Sequence, residues 1–127
     1  LVVLPQDHPL AGAECYPIAQ FTQDPYIRIH EHWDMEFSRI FQDEGLRPNI
    51  QYTVNDDFAI LAMVEQGLGI SILPEMVVRS SQRNVTAIPL ERPRYREIGL
   101  AVRRGGPVSP LTRRFRDFTL QWLEKFS

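Results

Sequence analysis

The chain switches between two hydrophobic periods, and the switches mark out its elements. Residues 1–4, Leu-Val-Val-Leu, are a short apolar run stopped by Pro5, which reads as a buried strand. Residues 7–12 are turn-like, and Tyr26–Ile29, following Pro25, read as a second short strand because proline biases its predecessor to extended geometry. Trp33, Phe37, Ile40 and Phe41 then recur at helical spacing. Gly45 stands where a helix C-cap needs positive φ, so the spacing predicts an amphipathic helix over 32–44. Beyond Pro48, Ile50, Tyr52 and Val54 alternate with Gln51 and Thr53, a period-two strand. Asn55, Asp56 and Asp57 are natural N-cap and first-turn residues for a compact apolar helix over 58–66, closed by Gly67. Residues 69–73 form a buried strand ended by Pro74, and residues 85–88 and 98–102 are further strands. Ser109-Pro110 starts a final helix with an N-cap and a proline at the first helical position. Leu111, Phe115, Phe118, Trp122 and Phe126 make its apolar stripe, with Arg113, Arg114, Arg116 and Asp117 on the polar side.

Strands alternating with helices predict an α/β layer structure with a mostly parallel sheet. The runs 1–4 and 98–102 are expected side by side, since each needs partners for its backbone polar groups. The Pro/Gly/Arg-rich stretch 103–107 is the one linker-like break. A length of 127 residues fits a single domain with a real core. A net charge of −2, from 14 basic and 16 acidic residues, argues against DNA binding by this chain alone, because phosphate neutralisation needs a basic excess. One cysteine, Cys15, rules out an internal disulfide and suits a reducing cytoplasm. No apolar run approaches the roughly 20 residues that span a bilayer, so no membrane association is expected, and no secretory leader is visible. A chain start is ordinarily Met followed by polar residues; Leu1, opening directly into a strand, leads us to expect upstream sequence.

Four features bear on chemistry. Gly67-Leu68-Gly69 has two glycines of a dinucleotide loop, but a helix precedes it and a strand follows, the reverse of that fingerprint's context. A helix cap and a tight turn account for it. His30-Glu31-His32 puts two imidazoles close together, yet a metal needs more ligands than the remote His8 and Cys15 readily supply. A solvated polar loop is the simpler reading, and we expect neither metal nor cofactor. Ser71 lies inside an apolar run rather than at a nucleophile elbow, and nothing supports a catalytic triad or carboxylate pair. Asn55-Asp56-Asp57, by contrast, sits at a strand-to-helix junction. In open α/β sheets ligands bind beyond the carboxyl ends of strands at such junctions, although simple capping explains each residue singly.

The stretch 52–75, YTVNDDFAILAMVEQGLGISILPE, resembles the second subdomain of the effector-binding region of LysR-type transcription regulators. LVVLPQDHPLAG is similar to the strand and turn that enter that subdomain, and DPYIRI to its cleft strand. FQDEGLRPNI resembles its helix end and following strand, and REIGLAVRRGGPVSPLTRRFRDFTLQWL its return strand and final helix. The resemblance implies one Rossmann-like α/β lobe of a type 2 periplasmic-binding-protein fold, with a C-terminal amphipathic helix. Residues 1–103 would be the second effector-binding subdomain with both hinge strands. Residues 104–127 would be a linker and a helix that packs on a first subdomain outside this chain. It further implies a cytoplasmic, non-enzymatic sensor whose small-molecule effector binds in an interlobe cleft, only weakly or not at all with one wall present. DNA would be bound only through a helix-turn-helix domain elsewhere in the intact protein. Carried over position by position, the effector contacts fall on Tyr26, Ile27 and Arg28, and on Asn55, Asp56 and Asp57 with Gly69 and Ile70 beside them. The unpartnered last helix points to a homodimer. A solute-binding protein of a transport system, or a small enzyme with a related lobe, are the rival classes.

Overall fold

Four residues near the start, alternately turned to opposite sides, show how the layers form. In strand β1 (Val2–Pro5), Val2 and Leu4 enter one apolar cluster and Val3 enters another. The sheet therefore separates two cores. The structure, a computed structural model, describes residues 1–30, 34–101 and 109–125. Residues 31–33, the linker 103–107, Val102 and Phe126 lie outside that set, and with them parts of the expected His-Glu-His cluster, first helix, last strand and helical stripe.

A single-turn 3-10 helix (Ile18–Thr22) precedes β2 (Tyr26–Ile29), α1 (Asp34–Asp43), β3 (Ile50–Val54) and α2 (Asp57–Glu65). Then come β4 (Ser71–Ile72), α3 (Glu75–Ser80), β5 (Val85–Ile88) and α4 (Pro110–Glu124). Two compact units result, Leu1–Tyr95 and Arg96–Ser127. Within the first, β1 lies between β4 and β5 and is antiparallel to both, while β2 and β3 pair in parallel. A parallel bridge from Tyr26 to Ile70 joins the two ladders, giving the spatial order β3-β2-β4-β1-β5. Among the described residues four strands thus run one way, as the alternation of strands and helices predicts, and β1 alone runs against them.

One face carries the 3-10 turn and α1. There Tyr16, Phe21, Tyr26 and Phe41 meet edge to face, with ring centroids 4.8–5.6 Å apart. The other face takes α2, through Ile60, Leu61 and Val64 against Val3, Ile27 and Ile29. Asp24, just ahead of β2, is a polar pin for the first core. It accepts from the Tyr16 hydroxyl at 2.5 Å and lies 3.2 Å from His8 Nε2, while His8 Nδ1 accepts from the Leu10 amide. Burial, and the hydrogen bond to the Asp24 carboxylate, push the Tyr16 phenol far above its ordinary pKa.

Three expectations need correction. Residues 98–101 form no strand; Ile98 and Leu100 are exposed, and β1 takes β4 and β5 as its partners instead. The backbone requirement that motivated pairing 1–4 with 98–102 is met by β4 and β5, which are nearer in sequence. The alternation in β3 also breaks: Ile50 is 40% and Tyr52 42% exposed, because among the described residues β3 has a strand neighbour on one side only, and it is bulged. Tyr26 pairs with Ile50 but Ile27 with Tyr52, so Gln51 is the extra residue and Ile50 joins the α1 face with Tyr26. The 3-10 turn and the six-residue α3 have no counterpart in the pattern reading.

Candidate functional site

Parallel pairing of β2 with β3 brings their carboxyl ends together. His30, one residue past β2, donates its backbone N–H to Val54 O at 2.7 Å, and Asn55 to Asp57 follow directly on the other strand. His30, Asn55 and Asp56 are exposed and Asp57 is half-buried. Asp56 is the N-cap of α2: one oxygen, Oδ1, accepts from the amides of Phe58 at 2.7 Å and Ala59 at 3.0 Å. The cap occupies first-turn donors that a free helix N-terminus would offer an anion. What remains at this edge is a polar rim: an imidazole, an amide and Asp57.

The other expected positions sit elsewhere. Ile27 is wholly buried; its N–H donates to Ile70 O at 2.8 Å and its carbonyl accepts from the Ser71 hydroxyl at 2.8 Å. Ile70, also buried, donates to Pro25 O at 2.8 Å. Gly69 and Ile70 therefore brace the amino end of β2, the end opposite the Asn55–Asp57 rim. The lack of a side chain at Gly69 permits this close approach, because a Cβ on it would stand 2.5 Å from Pro25 O.

Tyr26 and Arg28 alternate onto the α1 face of β2 and line a depression of about 290 Å³. Ser38, Phe41 and Gln42 of α1 line it too, with Leu46, Arg47, Pro48 and Ile50 from the chain that follows. Arg28 Nη2 donates to Thr53 Oγ1 across the β2–β3 pair at a long 3.4 Å. The pattern reading found Tyr26 and Arg28 but missed the other seven residues. The signal was present in outline: a helix over 32–44 returning through a Gly-turn and Pro48 must lay its C-terminal half beside the strand it follows.

A mixed five-strand sheet with a reversed β1, layered by helices on both faces, defines a lobe of the type 2 periplasmic-binding-protein-like class. The sequence profile of the LysR substrate binding domain matches residues 1–124, and the chain belongs to that family. The chain is 28% identical over 122 residues to the HTH-type transcriptional regulator YybE of Bacillus subtilis, covering 94% of this chain and 41% of YybE. Identity to the RuBisCO operon transcriptional regulator of Allochromatium vinosum is 30% over 127 residues, with coverages of 94% and 41%. Among solved structures, the effector-binding domain of QuiR in complex with shikimate superposes with a TM-score of 0.80 at 26% identity, covering 98% of this chain and 60% of that one. The chain spans about two-fifths of the length of these two curated relatives. The family is one of transcription regulators, which is not an enzyme class. Among the described residues no helix is long and apolar enough to cross a membrane.

Proposed function

We propose that this chain is the effector-sensing lobe of a LysR-type transcription regulator, working in the cytoplasm and without catalytic activity of its own. The observation that carries the proposal is the open edge where β2 and β3 end together, with exposed His30 and Asn55 and half-buried Asp57. In α/β sheets that edge is where small molecules bind. QuiR, a relative in fold and sequence, holds a small molecule in its effector-binding domain. In our reading Asn55, Asp56 and Asp57 form one wall of the effector cleft. Tyr26, Ile27, Arg28, Gly69 and Ile70 fix that wall's strand frame, with Arg28 presented on the adjoining α1 face. Two lobes closing on the effector shift an equilibrium between two states of the intact regulator, by no more than the effector's differential affinity for them. DNA contact belongs to another part of the intact protein, and the protein acts as a homodimer.

The test is promoter occupancy by the complete regulator with and without a panel of small metabolites. We expect at least one metabolite to change occupancy, and Asn55→Ala with Asp57→Ala to weaken that response while leaving ligand-free occupancy intact. Occupancy indifferent to every metabolite, or a full response in the double variant, would contradict the proposal.

A further inference from the structure

The depression on the α1 face is lined by residues of β2, of α1 and of the stretch from Leu46 to Ile50, and not by Asn55, Asp56 or Asp57. We propose that it is a binding site for a small carboxylate with a ring-sized apolar body. The inference goes beyond the sensing role and stands or falls separately from it.

Its apolar part is contiguous. Tyr26 and Phe41, in edge-to-face contact with centroids 5.6 Å apart, make the floor, and Leu46, Pro48 and Ile50 make the side. Its volume, about 290 Å³, is at the lower end of the roughly 300–1,000 Å³ typical of small-molecule sites. Ile50 belongs to this lining because of the bulge at Gln51; without it the pairing register would turn Ile50 to the opposite face.

Among the described residues the charged side chains of the lining are Arg28 and Arg47, one from β2 and one from the loop after α1. The acids nearest in sequence to Arg47 are engaged elsewhere: Asp43 pairs with Arg94 at 3.2 Å and Glu44 pairs with Arg92. A planar guanidinium matches a carboxylate in a two-point contact, which a neutral amide cannot reproduce. Ser38 and Gln42 add a hydroxyl and an amide at the rim. An apolar floor with two guanidiniums in its described lining selects an anion with a hydrophobic body over an ion that is all charge.

The experiment is a titration of the isotopically labelled 127-residue chain followed by backbone amide NMR. The probes are phenylacetate, its neutral twin phenylacetamide, and inorganic phosphate. We expect phenylacetate to shift the Gln42, Leu46 and Ile50 amides saturably. We expect the amide and phosphate each to bind at least tenfold more weakly. Arg47→Gln should weaken phenylacetate at least tenfold while amides of α2 and β5 keep their positions, which shows the fold intact; Arg28→Gln should do the same. Absence of saturable shifts at these three amides overturns the proposal. So does equal binding of phenylacetamide or of phosphate, or unchanged affinity in a folded Arg47→Gln chain.

Discussion

Gly69→Ala is the sharpest test of how the two strand ladders are joined. The new methyl would stand 2.5 Å from Pro25 O and 3.2 Å from Ile27 Cγ1. The first neighbour is backbone and cannot rotate away, and the glycine's φ of +157° adds strain for any L side chain. Relief requires Pro25 and Gly69 to separate, which breaks the Ile70 N–H to Pro25 O and Ile27 N–H to Ile70 O bonds, both 2.8 Å. Two backbone hydrogen bonds are worth about 1 kcal/mol each, and the strain about 1–3 kcal/mol, of which part is relieved by the movement. The expected loss is about 2–4 kcal/mol, a large share of the roughly 5–15 kcal/mol typical of a domain. At about 2.1 cal/mol/K per residue of unfolding entropy, that lowers Tm by about 8–15 °C. Gly12→Ala is the control, since nothing lies within 4 Å of the Cβ it would add; it should stay within about 0.5 kcal/mol of the parent. Urea and thermal unfolding by circular dichroism read both. A Gly69→Ala chain as stable as the control would show that the two ladders do not meet at Pro25.

Other substitutions probe other links. Asp56→Ala removes the acceptor for the Phe58 and Ala59 amides and should cost about 1 kcal/mol, whereas Asp56→Asn should recover most of it in the same unfolding assay. The raised Tyr16 pKa predicts a loss of stability at high pH. Unfolded tyrosine ionises near pH 10 while folded Tyr16 stays protonated, so its contribution is complete below pH 10 and falls as pH rises above it, by at most about 1.4 kcal/mol per unit. Tyr16→Phe should flatten that alkaline decline; an unchanged slope would remove Tyr16 as its source. Leu111, Phe115, Phe118 and Trp122 are exposed along α4, and covering four such side chains is worth about 6–12 kcal/mol. We therefore expect light scattering of the chain to give twice its 14.8 kDa mass, and Phe115→Glu with Trp122→Glu to give the monomer; a monomeric parent at high concentration contradicts the dimer.

The elements legible in the sequence were those fixed by local chemistry. Pro25, Gly45 and Gly67 bound β2, α1 and α2, the Asp56 cap opens α2, and Ser109-Pro110 opens α4, each in the expected place. What stayed hidden depends on partners far along the chain. Val2 and Val3 look the same whether their neighbours run parallel or antiparallel, and only pairing with residues some 70–85 positions away reverses β1. The bulge at Gln51 is a property of the β2–β3 pair, so alternation in β3 alone put Ile50, Tyr52 and Val54 on one face. Residues 98–102 show the converse error: an apolar run read as a strand, of which 98–101 are not one. Of the candidate site, Arg28 and Asn55–Asp57 could be named from strand ends and resemblance. Arg47 and Pro48 could not, because they reach the depression only through the return of the chain after α1.

The central claim is that the carboxyl ends of β2 and β3 form a wall of the effector cleft. Hydrogen exchange on the complete regulator, with and without a metabolite that alters its promoter occupancy, tests this most directly. We expect the metabolite to slow exchange in the peptides that carry His30 and Asn55–Asp57, beyond any change in α2 or β5. Protection confined to regions outside these 127 residues would contradict it.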